Sequence, residues 1–369
     1  MTIYNAKTDS KDLHVPRFTQ YGTNLSDAQL GSRVIFATDE FFAVADNLLL
    51  RAEPQYDPNT YCAQGKVMDG WESRRRRLPG HDWCVIRLAY RGTIAGVELD
   101  TAFFTGNFTP AVSIQAADLS CYGTDMHDEW MPGSFERFER GGGIRGSKSS
   151  LELCAKAESA CTNIGGDWKE ILPLSKLNPG YAESRMHYFS ISEALKRTSF
   201  THIRLNYFPD GGVARLKVYG SVSVFFEKDY FSKYTEADMP IVDLASMGLG
   251  GRGLACSNKH FGVPRNLLKP GRGGKVFISS TLHEFSSIYL HYFFALVDMG
   301  DGWETARHLD RPSIIKTNPN TGLVDTDLGD WCILQLGSIT SLVEEIEIGR
   351  SKLGTFLFSN SNLNSRNYL

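Results

Sequence analysis

The chain repeats the segment Asp69–Arg75, DGWESRR, as Asp301–Arg307, DGWETAR. Two further blocks recur around it in the same order: FAVADNLL at 42–49 returns as FGVPRNLL at 261–268, and DWCVI at 82–86 returns as DWCIL at 330–334. Chance rarely reproduces three ordered blocks, and such self-similarity is typical of a duplicated structural unit. The sequence therefore predicts two copies of one domain, which fits a length of 369 residues.

The two copies differ in length, and the repeat sets their bounds. We expect an N-terminal extension at 1–30, a first domain at 31–224, a linker at 225–252 and a second domain at 253–369. The second copy has no counterpart of Thr201–Gly220, carries an atypical apolar insert at about 276–298, and loses its resemblance to the first copy after residue 348. It is therefore expected to be an incomplete, truncated domain.

Local patterns favour strands over helices. Five short segments are rich in β-branched or aromatic residues and are bounded by Gly or Pro: 84–90, 96–104, 111–116, 201–208 and 213–222. Such strands predict a mostly β protein in which each copy is a β-sandwich or jelly roll. Helices are expected only as short pieces such as Ser192–Arg197. The segment 119–166 contains GGG at 141–143 and shows little apolar periodicity, so it is expected to be a solvated, disordered loop.

Composition excludes several classes of protein. Lys and Arg number 39 against 42 Asp and Glu, a net charge of −3, which gives no electrostatic reason to bind nucleic acid. The longest uncharged apolar run, 285–297, is too short to span a membrane. Seven cysteines without a C-x-x-C pair favour a reducing compartment, and residues 1–15 lack the apolar core of a signal peptide. We expect a protein of the cytosol or peroxisome that is not secreted.

A polar cluster follows the repeated tryptophan. It contains Glu72, four successive arginines at 74–77, and His81 next to Asp82. Arg75 is the informative arginine, because Arg307 occupies its place in the second copy. Two interpretations of DGW at 69–71 stay open with equal weight: a turn with a buried tryptophan anchor, or part of a functional site.

These blocks belong to a longer series of motifs: DGWESRR at 69–75, GHDW at 80–83, ELDTAFFTGN at 98–107, VSIQA at 112–116, THIR at 201–204 and FPDGGVAR at 208–215. The series resembles the allantoicase family across the first copy outside 119–166, and the second copy resembles it from about 254 to 348. The resemblance implies a hydrolase of purine breakdown that splits allantoate into ureidoglycolate and urea. It also implies two tandem jelly-roll domains similar to galactose-binding folds, and a homo-oligomer.

The substrate suggests which side chains to consider. Allantoate carries one carboxylate, which calls for guanidinium groups, and the motifs supply Arg75, Arg204 and Arg215. Its two ureido groups need acceptors, for which Glu72, Asp100 and Asp210 are candidates.

Release of urea requires an acid and a base. We expect Glu72, His81 and Asp100 to be catalytic; His81 with Asp82, or Glu98 with Asp100, could form the acid and base pair. The alternatives are that Glu72 and Asp100 only pair with arginines, and that His81 is a turn residue.

The sequence leaves the cofactor and two other functions open. A divalent metal is compatible with the resemblance, but no set of ligands can be identified, since the histidines show neither H-x-x-x-H nor H-E-x-x-H spacing. Because the second copy is incomplete, the chain could also be a non-catalytic jelly-roll ligand-binding module, or an inactive subunit that completes an assembly. Its small-molecule partner is expected to be allantoate, with no nucleic acid or membrane involved.

Overall fold

The computed structural model describes residues 4–5, 15–120, 128–163, 167–224, 242–270, 302–306, 318–321, 329–337, 345–350 and 354–359. The chain divides into two compact units, Met1–Lys228 and Asp229–Leu369. Both are built mainly from β-strands, as the sequence predicts. Within the described ranges, no helix is long and apolar enough to cross a membrane.

The first unit is a jelly-roll β-sandwich whose described residues form three α-helices: α1 (Arg17–Tyr21), α2 (Ser134–Glu139) and α3 (Leu151–Asn163). Its strands are β1 (Tyr4–Asn5), β2 (Thr23–Asn24), β3 (Arg33–Ala37), β4 (Asp39–Glu40), β5 (Gln55–Tyr56), β6 (Tyr61–Cys62), β7 (Gly65–Lys66), β8 (Trp71–Glu72), β9 (Asp82–Asp100), β10 (Ala111–Ala117), β11 (Ser147–Lys148), β12 (Lys169–Lys176), β13 (Met186–Ser190), β14 (Ser199–Phe208), β15 (Gly212–Val213) and β16 (Arg215–Val222).

Strand β9 contributes to both layers of the sandwich. Its residues 82–87 pair with β14 on one side and β3 on the other, which gives sheet 1 the order β12-β10-β14-β9-β3. Its residues 94–100 pair with β16 and β13, which gives sheet 2 the order β13-β9-β16-β2. The two strands predicted at 84–90 and 96–104 are therefore one strand that ends at Asp100. Gly92 lies between the two predicted segments and is needed for packing, because a Cβ there would lie 2.5 Å from the Ser221 carbonyl oxygen.

The core lies between the two sheets, where the side chains alternate as a strand period of two requires. Val97 and Leu99 of β9 point inward and are fully buried. From the other layer, Ile203 and Leu205 point inward, and so does Tyr207, whose ring stacks on Trp71 with the centroids 4.1 Å apart. Each large apolar side chain buried here contributes roughly 1.5–3 kcal/mol to the stability of the sandwich.

The prediction of a disordered loop at 119–166 is wrong for its described part. Residues 134–139 and 151–163 form α2 and α3, and α3 packs on the outward face of sheet 1. Ala157 and Cys161 form its buried stripe against Trp83 and Val85. The stripe follows the helical spacing of four, but small side chains give it little hydropathy, and this is why the periodicity was weak.

Two smaller expectations are corrected as well. Residues 192–197 form hydrogen-bonded turns and no helix, with the amides of Leu195 and Lys196 both donating to the Ser192 carbonyl. The N-terminal extension ends before Thr23, because β2 pairs with β16 and Leu25 is fully buried in the core.

The second unit contains three strand pairs among its described residues: β17 (Arg252–Cys256) with β20 (Cys332–Gln335), β18 (Phe261–Gly262) with β19 (Trp303–Glu304), and β21 (Glu345–Arg350) with β22 (Gly354–Ser359). The predicted insert at 276–298 and most of the predicted linker, 225–241, lie outside the described residues.

The repeat is visible at the level of single hydrogen bonds around the DGW motif. An asparagine amide donates to the glycine carbonyl, and the indole N–H donates to a backbone carbonyl: Asn47 to Gly70 at 3.0 Å and Trp71 to Asp39 at 2.8 Å in the first unit, Asn266 to Gly302 at 2.9 Å and Trp303 to Asn258 at 2.8 Å in the second. Of the two interpretations of DGW, the structure supports the turn with a tryptophan anchor.

Candidate functional site

Two segments, residues 72–82 and 208–212, run side by side at one end of the first unit, and we call them the end ribbon. Several contacts join them. Glu72 pairs with Gly212 in the β-ladder, and the backbone amides of Ser73, Arg76 and Asp82 donate to the Gly211 carbonyl, the Asp210 carboxylate and the Pro209 carbonyl. The Gly211 amide donates to Ser73 Oγ, and the His81 ring stacks on Phe208. Gly211 has φ +124°, a backbone conformation that favours glycine. The end ribbon brings together four predicted site residues: Glu72, Arg75, His81 and Asp210.

Glu72 is a buried acid between an amide and a cation. Asn107 Nδ2 donates to Glu72 Oε1 at 2.7 Å. Burial raises the pKa of Glu72 to about 6, against the smaller opposing effects of the Asn107 hydrogen bond and the Arg145 guanidinium. A carboxyl group whose pKa lies near neutrality can exchange a proton with a substrate at physiological pH.

His81 is half-buried on the same end ribbon but contacts different partners. Its Nε2 lies 3.1 Å from Asn206 Oδ1, and its ring stacks on Phe208 with the centroids 4.6 Å apart. Burial lowers the pKa of His81 against the opposing effect of the Asn206 hydrogen bond, and the nearby positive charges of Arg204 and Arg76 act in the same direction as burial. The imidazole is therefore neutral at physiological pH, as a base must be.

Arg75 and Asp210 are two predicted site residues of the end ribbon that solvent can reach; Arg75 is exposed and Asp210 is half-buried. Arg75 is exposed and forms no side-chain hydrogen bond or ion pair with the described residues. Asp210 uses Oδ2 to accept from the Arg76 amide at 2.7 Å. The Arg76 guanidinium turns inward and pairs with Asp82 at 3.0 Å. Among the arginines at 74–77, Arg75 has a counterpart in the second copy, Arg307, and its guanidinium is bound by none of the described residues.

Arg204 is already bound by the protein. Its Nε donates to Asn206 Oδ1 at 2.9 Å, and its Nη1 and Nη2 form a bidentate pair with Glu158 of α3 at 2.9 and 2.8 Å. The guanidinium also lies over the Trp83 ring, 3.9 Å from its centroid. With all its nitrogens engaged, Arg204 is better placed to hold other side chains than to bind a substrate.

Arg215 and Asp100 belong to a different environment on sheet 2. Arg215 binds both carboxylate oxygens of Asp69, at 2.9 and 2.8 Å, and the Ala52 carbonyl at 2.9 Å. Asp100 pairs with Arg185 at 3.3 Å. Burial raises the pKa of Asp100 to about 6, against the opposing charge of Arg185.

Two of the three arginines that were predicted to bind the substrate carboxylate, Arg204 and Arg215, lie in different places. In β14 of sheet 1, Arg204 lies between the core residues Ile203 and Leu205. In β16 of sheet 2, Arg215 precedes the core residue Leu216. Both side chains point away from the core, on the outward faces of two different sheets. The motifs that contain Arg204 and Arg215 are neighbours in the sequence, but this could not show that the two side chains lie on different sheets. The pairing and register of the strands determine which face each side chain occupies.

Sequence reasoning missed residues that complete these environments. Asn107 closes the quoted motif at 98–107, so its position was a usable signal. Arg145 and Glu158 lie in the segment that was expected to be disordered. Asn206 shares a strand face with Arg204, but only the structure shows that it joins Arg204 to His81.

No metal centre emerges from the part of the chain that the structure describes, where no three His, Cys, Asp or Glu side chains are grouped to hold an ion. A cleft of about 270 Å³ lies beside α2 and the start of α3, and its lining includes Glu40, Arg137 and Lys148. None of the seven predicted site residues lines this cleft. The case for the end ribbon as the candidate site rests on its four predicted residues and not on this cleft.

Comparison with known proteins extends these observations. The family model of the allantoicase repeat matches residues 23–223 and again 242–355. A probable allantoicase of Acinetobacter baumannii is 35% identical over 341 residues, 91% of this chain and 73% of the relative. A probable allantoicase of Photobacterium profundum is 37% identical over 320 residues, 87% of this chain and 69% of the relative.

Solved structures agree with the sequence relatives. An allantoicase structure superposes with a TM-score of 0.54 at 30% identity, and the crystal structure of the Saccharomyces cerevisiae allantoicase superposes with a TM-score of 0.53 at 28% identity. Each comparison covers 88% of this chain and 71% of the other. The internal repeat predicted from the sequence is thus the allantoicase repeat, and the chain belongs to the allantoicase family.

Proposed function

We propose that this chain hydrolyses allantoate to ureidoglycolate and urea at the end ribbon of its first unit. The observation that carries the location is Glu72, a buried acid whose pKa is raised to about 6 beside the Asn107 amide and the Arg145 guanidinium. A protein gains no stability from an ionised carboxylate held in such a place, and perturbed acids of this kind cluster at functional sites.

The neighbours of Glu72 match the chemistry of the substrate. The guanidinium of Arg145 is near enough to influence the Glu72 carboxylate and would attract the carboxylate of allantoate, with Arg75 as a second cation from the end ribbon. The Asn107 side-chain oxygen and the second carboxylate oxygen of Asp210 are acceptors for ureido N–H groups. One cation and several acceptors are what a small diureido acid requires.

The proposed reaction needs one base and one acid. His81 takes a proton from water, the water oxygen bonds to the central carbon of allantoate, and the bond from that carbon to one ureido nitrogen breaks. Glu72 gives its proton to the departing nitrogen, so that urea leaves and ureidoglycolate remains. Glu72 and His81 contact different partners, Asn107 and Asn206. In this scheme the leaving nitrogen therefore faces Glu72, and the attacking water lies on the side of His81. Burial also raises the pKa of Asp100 to about 6, but Asp100 lies beside Arg185 in a different environment, so this scheme assigns it no step.

Purified full-length chain should release urea from allantoate. The ratio kcat/KM should rise with pH as His81 loses its proton, and should fall as the pH passes about 6, where Glu72 loses its own. Folded, soluble chain that binds allantoate without releasing urea would instead support a non-catalytic binding module.

Assembly and compartment are further parts of the proposal. We expect a homo-oligomer, which multi-angle light scattering will detect as a mass that is a multiple of 41.1 kDa. The six described cysteines are free thiols, which supports a reducing compartment such as the cytosol or peroxisome. A monomeric mass would refute the first expectation, and fractionation into another compartment would refute the second.

A further inference from the structure

We infer that Asn206, held by Arg204 and Glu158, fixes neutral His81 in the tautomer with its proton on Nε2, so that Nδ1 is the atom that accepts a proton. The inference rests on the proposed role of His81 as the base. It makes Asn206 a positioning residue and gives the buried Arg204 a function other than substrate binding.

The hydrogen-bond donors determine how the Asn206 amide is oriented. Arg204 Nε can only donate, and it lies 2.9 Å from Asn206 Oδ1, so that atom must be the carbonyl oxygen. The amide nitrogen then faces Ser113 Oγ at 3.2 Å. The orientation of a side-chain amide is normally uncertain by half a turn, but here a donor-only partner settles it.

The oriented amide in turn determines the state of His81. Its Nε2 lies 3.1 Å from the same oxygen, Asn206 Oδ1, which can only accept. An unprotonated Nε2 would place two lone pairs against each other, so Nε2 must carry the proton in the neutral ring. Nδ1 forms no hydrogen bond with the described residues and keeps its lone pair for an incoming proton.

The rest of the network keeps this geometry rigid. Glu158 of α3 binds both terminal nitrogens of Arg204, and the guanidinium rests on the Trp83 ring. The charged groups that act on His81 are Arg204 from β14, Glu158 from α3 and Arg76 from the end ribbon. The two guanidiniums disfavour a proton on the ring, and Glu158 partly offsets them.

Nitrogen NMR on the full-length chain labelled with ¹⁵N-histidine tests the inference without relying on activity. The His81 signals are assigned by their loss in His81→Gln. Above the pKa of His81, the Nδ1 resonance should have the shift of an unprotonated nitrogen, and Nε2 that of a protonated one. A neutral ring protonated on Nδ1 would overturn the inference, and this measurement needs no variant of Asn206.

Asn206→Asp provides the second test, because a carboxylate at this position favours the imidazolium. We expect the pKa of His81 to rise by about one unit or more, and the acidic limb of the kcat/KM profile to move by the same amount. The same exchange at an exposed residue of α3, Asn163→Asp, should move neither. An unchanged pKa of His81 in Asn206→Asp would overturn the positioning role.

The tautomer of His81 and its role as the base can be tested separately. If the NMR result is as expected but His81→Gln retains full urea release, the tautomer is established and the role of His81 as base is wrong.

Discussion

Replacing Glu72 with Gln should make the protein more stable and less active at the same time. The pKa of Glu72 in the folded chain, about 6, lies above its ordinary value of 4.5, so the folded state binds this proton more tightly than the unfolded state. The contribution of Glu72 to stability is therefore complete below about pH 4.5, and it is lost as the pH rises through about 6.

The size of the effect follows from the shift. One pKa unit corresponds to about 1.4 kcal/mol, so a shift of about 1.5 units removes roughly 2 kcal/mol of stability at pH 8. The glutamine side chain of Glu72→Gln is neutral at every pH, and its amide oxygen can still accept from Asn107. The variant should exceed the parent chain in unfolding free energy by roughly 2 kcal/mol at pH 8, and by less than about 1 kcal/mol at pH 5.

Urea unfolding at both pH values measures these differences, with the exposed Glu183→Gln as a matched control that should leave stability unchanged. Urea release by Glu72→Gln should fall at least about 100-fold, because the variant has no acid at this position. A variant that is less stable than the parent at pH 8 would show that Glu72 is ionised and held by favourable contacts. It could not then donate a proton, and the reasoning would fail.

Further substitutions test three other parts of the account. Arg75→Lys keeps the charge but loses the planar guanidinium, so KM for allantoate should rise about tenfold in steady-state assays while the melting temperature stays the same. The control Arg77→Lys, exposed on the same end ribbon, should change neither value. Equal effects of the two substitutions would show that Arg75 is only a surface residue. Arg215→Met should lower the unfolding free energy by about 2–3 kcal/mol, since a carboxylate partner and backbone carbonyls lose their donor; an unchanged denaturation midpoint would remove Arg215 from the supporting structure. Asn47→Ala and Asn266→Ala should each lower the free energy of unfolding in urea by about 1 kcal/mol, because each removes the same hydrogen bond to the DGW turn of its own unit. A decrease for only one of the two variants would show that the repeated hydrogen bond does not stabilise both units equally.

The sandwich could be predicted because apolar and polar side chains alternate along its strands. Val97 and Leu99 alternate with Glu98 and Asp100, and that pattern gives both the strand and the inward face. Helix α3 escaped prediction because its buried stripe is made of small side chains such as Ala157, whose burial leaves little trace in hydropathy. Packing against sheet 1 stabilises the helix at 151–163, and the apolar pattern of its sequence does not reveal that packing.

The candidate site could be predicted only in part, for a related reason. Sequence motifs identified Glu72 and His81, whose segments do lie together on the end ribbon. They could not show that Arg204 and Arg215 face outward from different sheets, since that depends on how β9 passes from one layer to the other. Nor could they show that Asn206 connects Arg204 to His81, a link across one strand face.

A crystal structure of Glu72→Gln grown with allantoate tests the central claim most directly, because the substrate should stay intact in this variant. We predict that allantoate lies against the end ribbon, with a ureido nitrogen within hydrogen-bond distance of the substituted glutamine side chain and its carboxylate facing Arg145 or Arg75. Allantoate bound elsewhere, for example in the cleft beside Arg137, would contradict the assignment of the site.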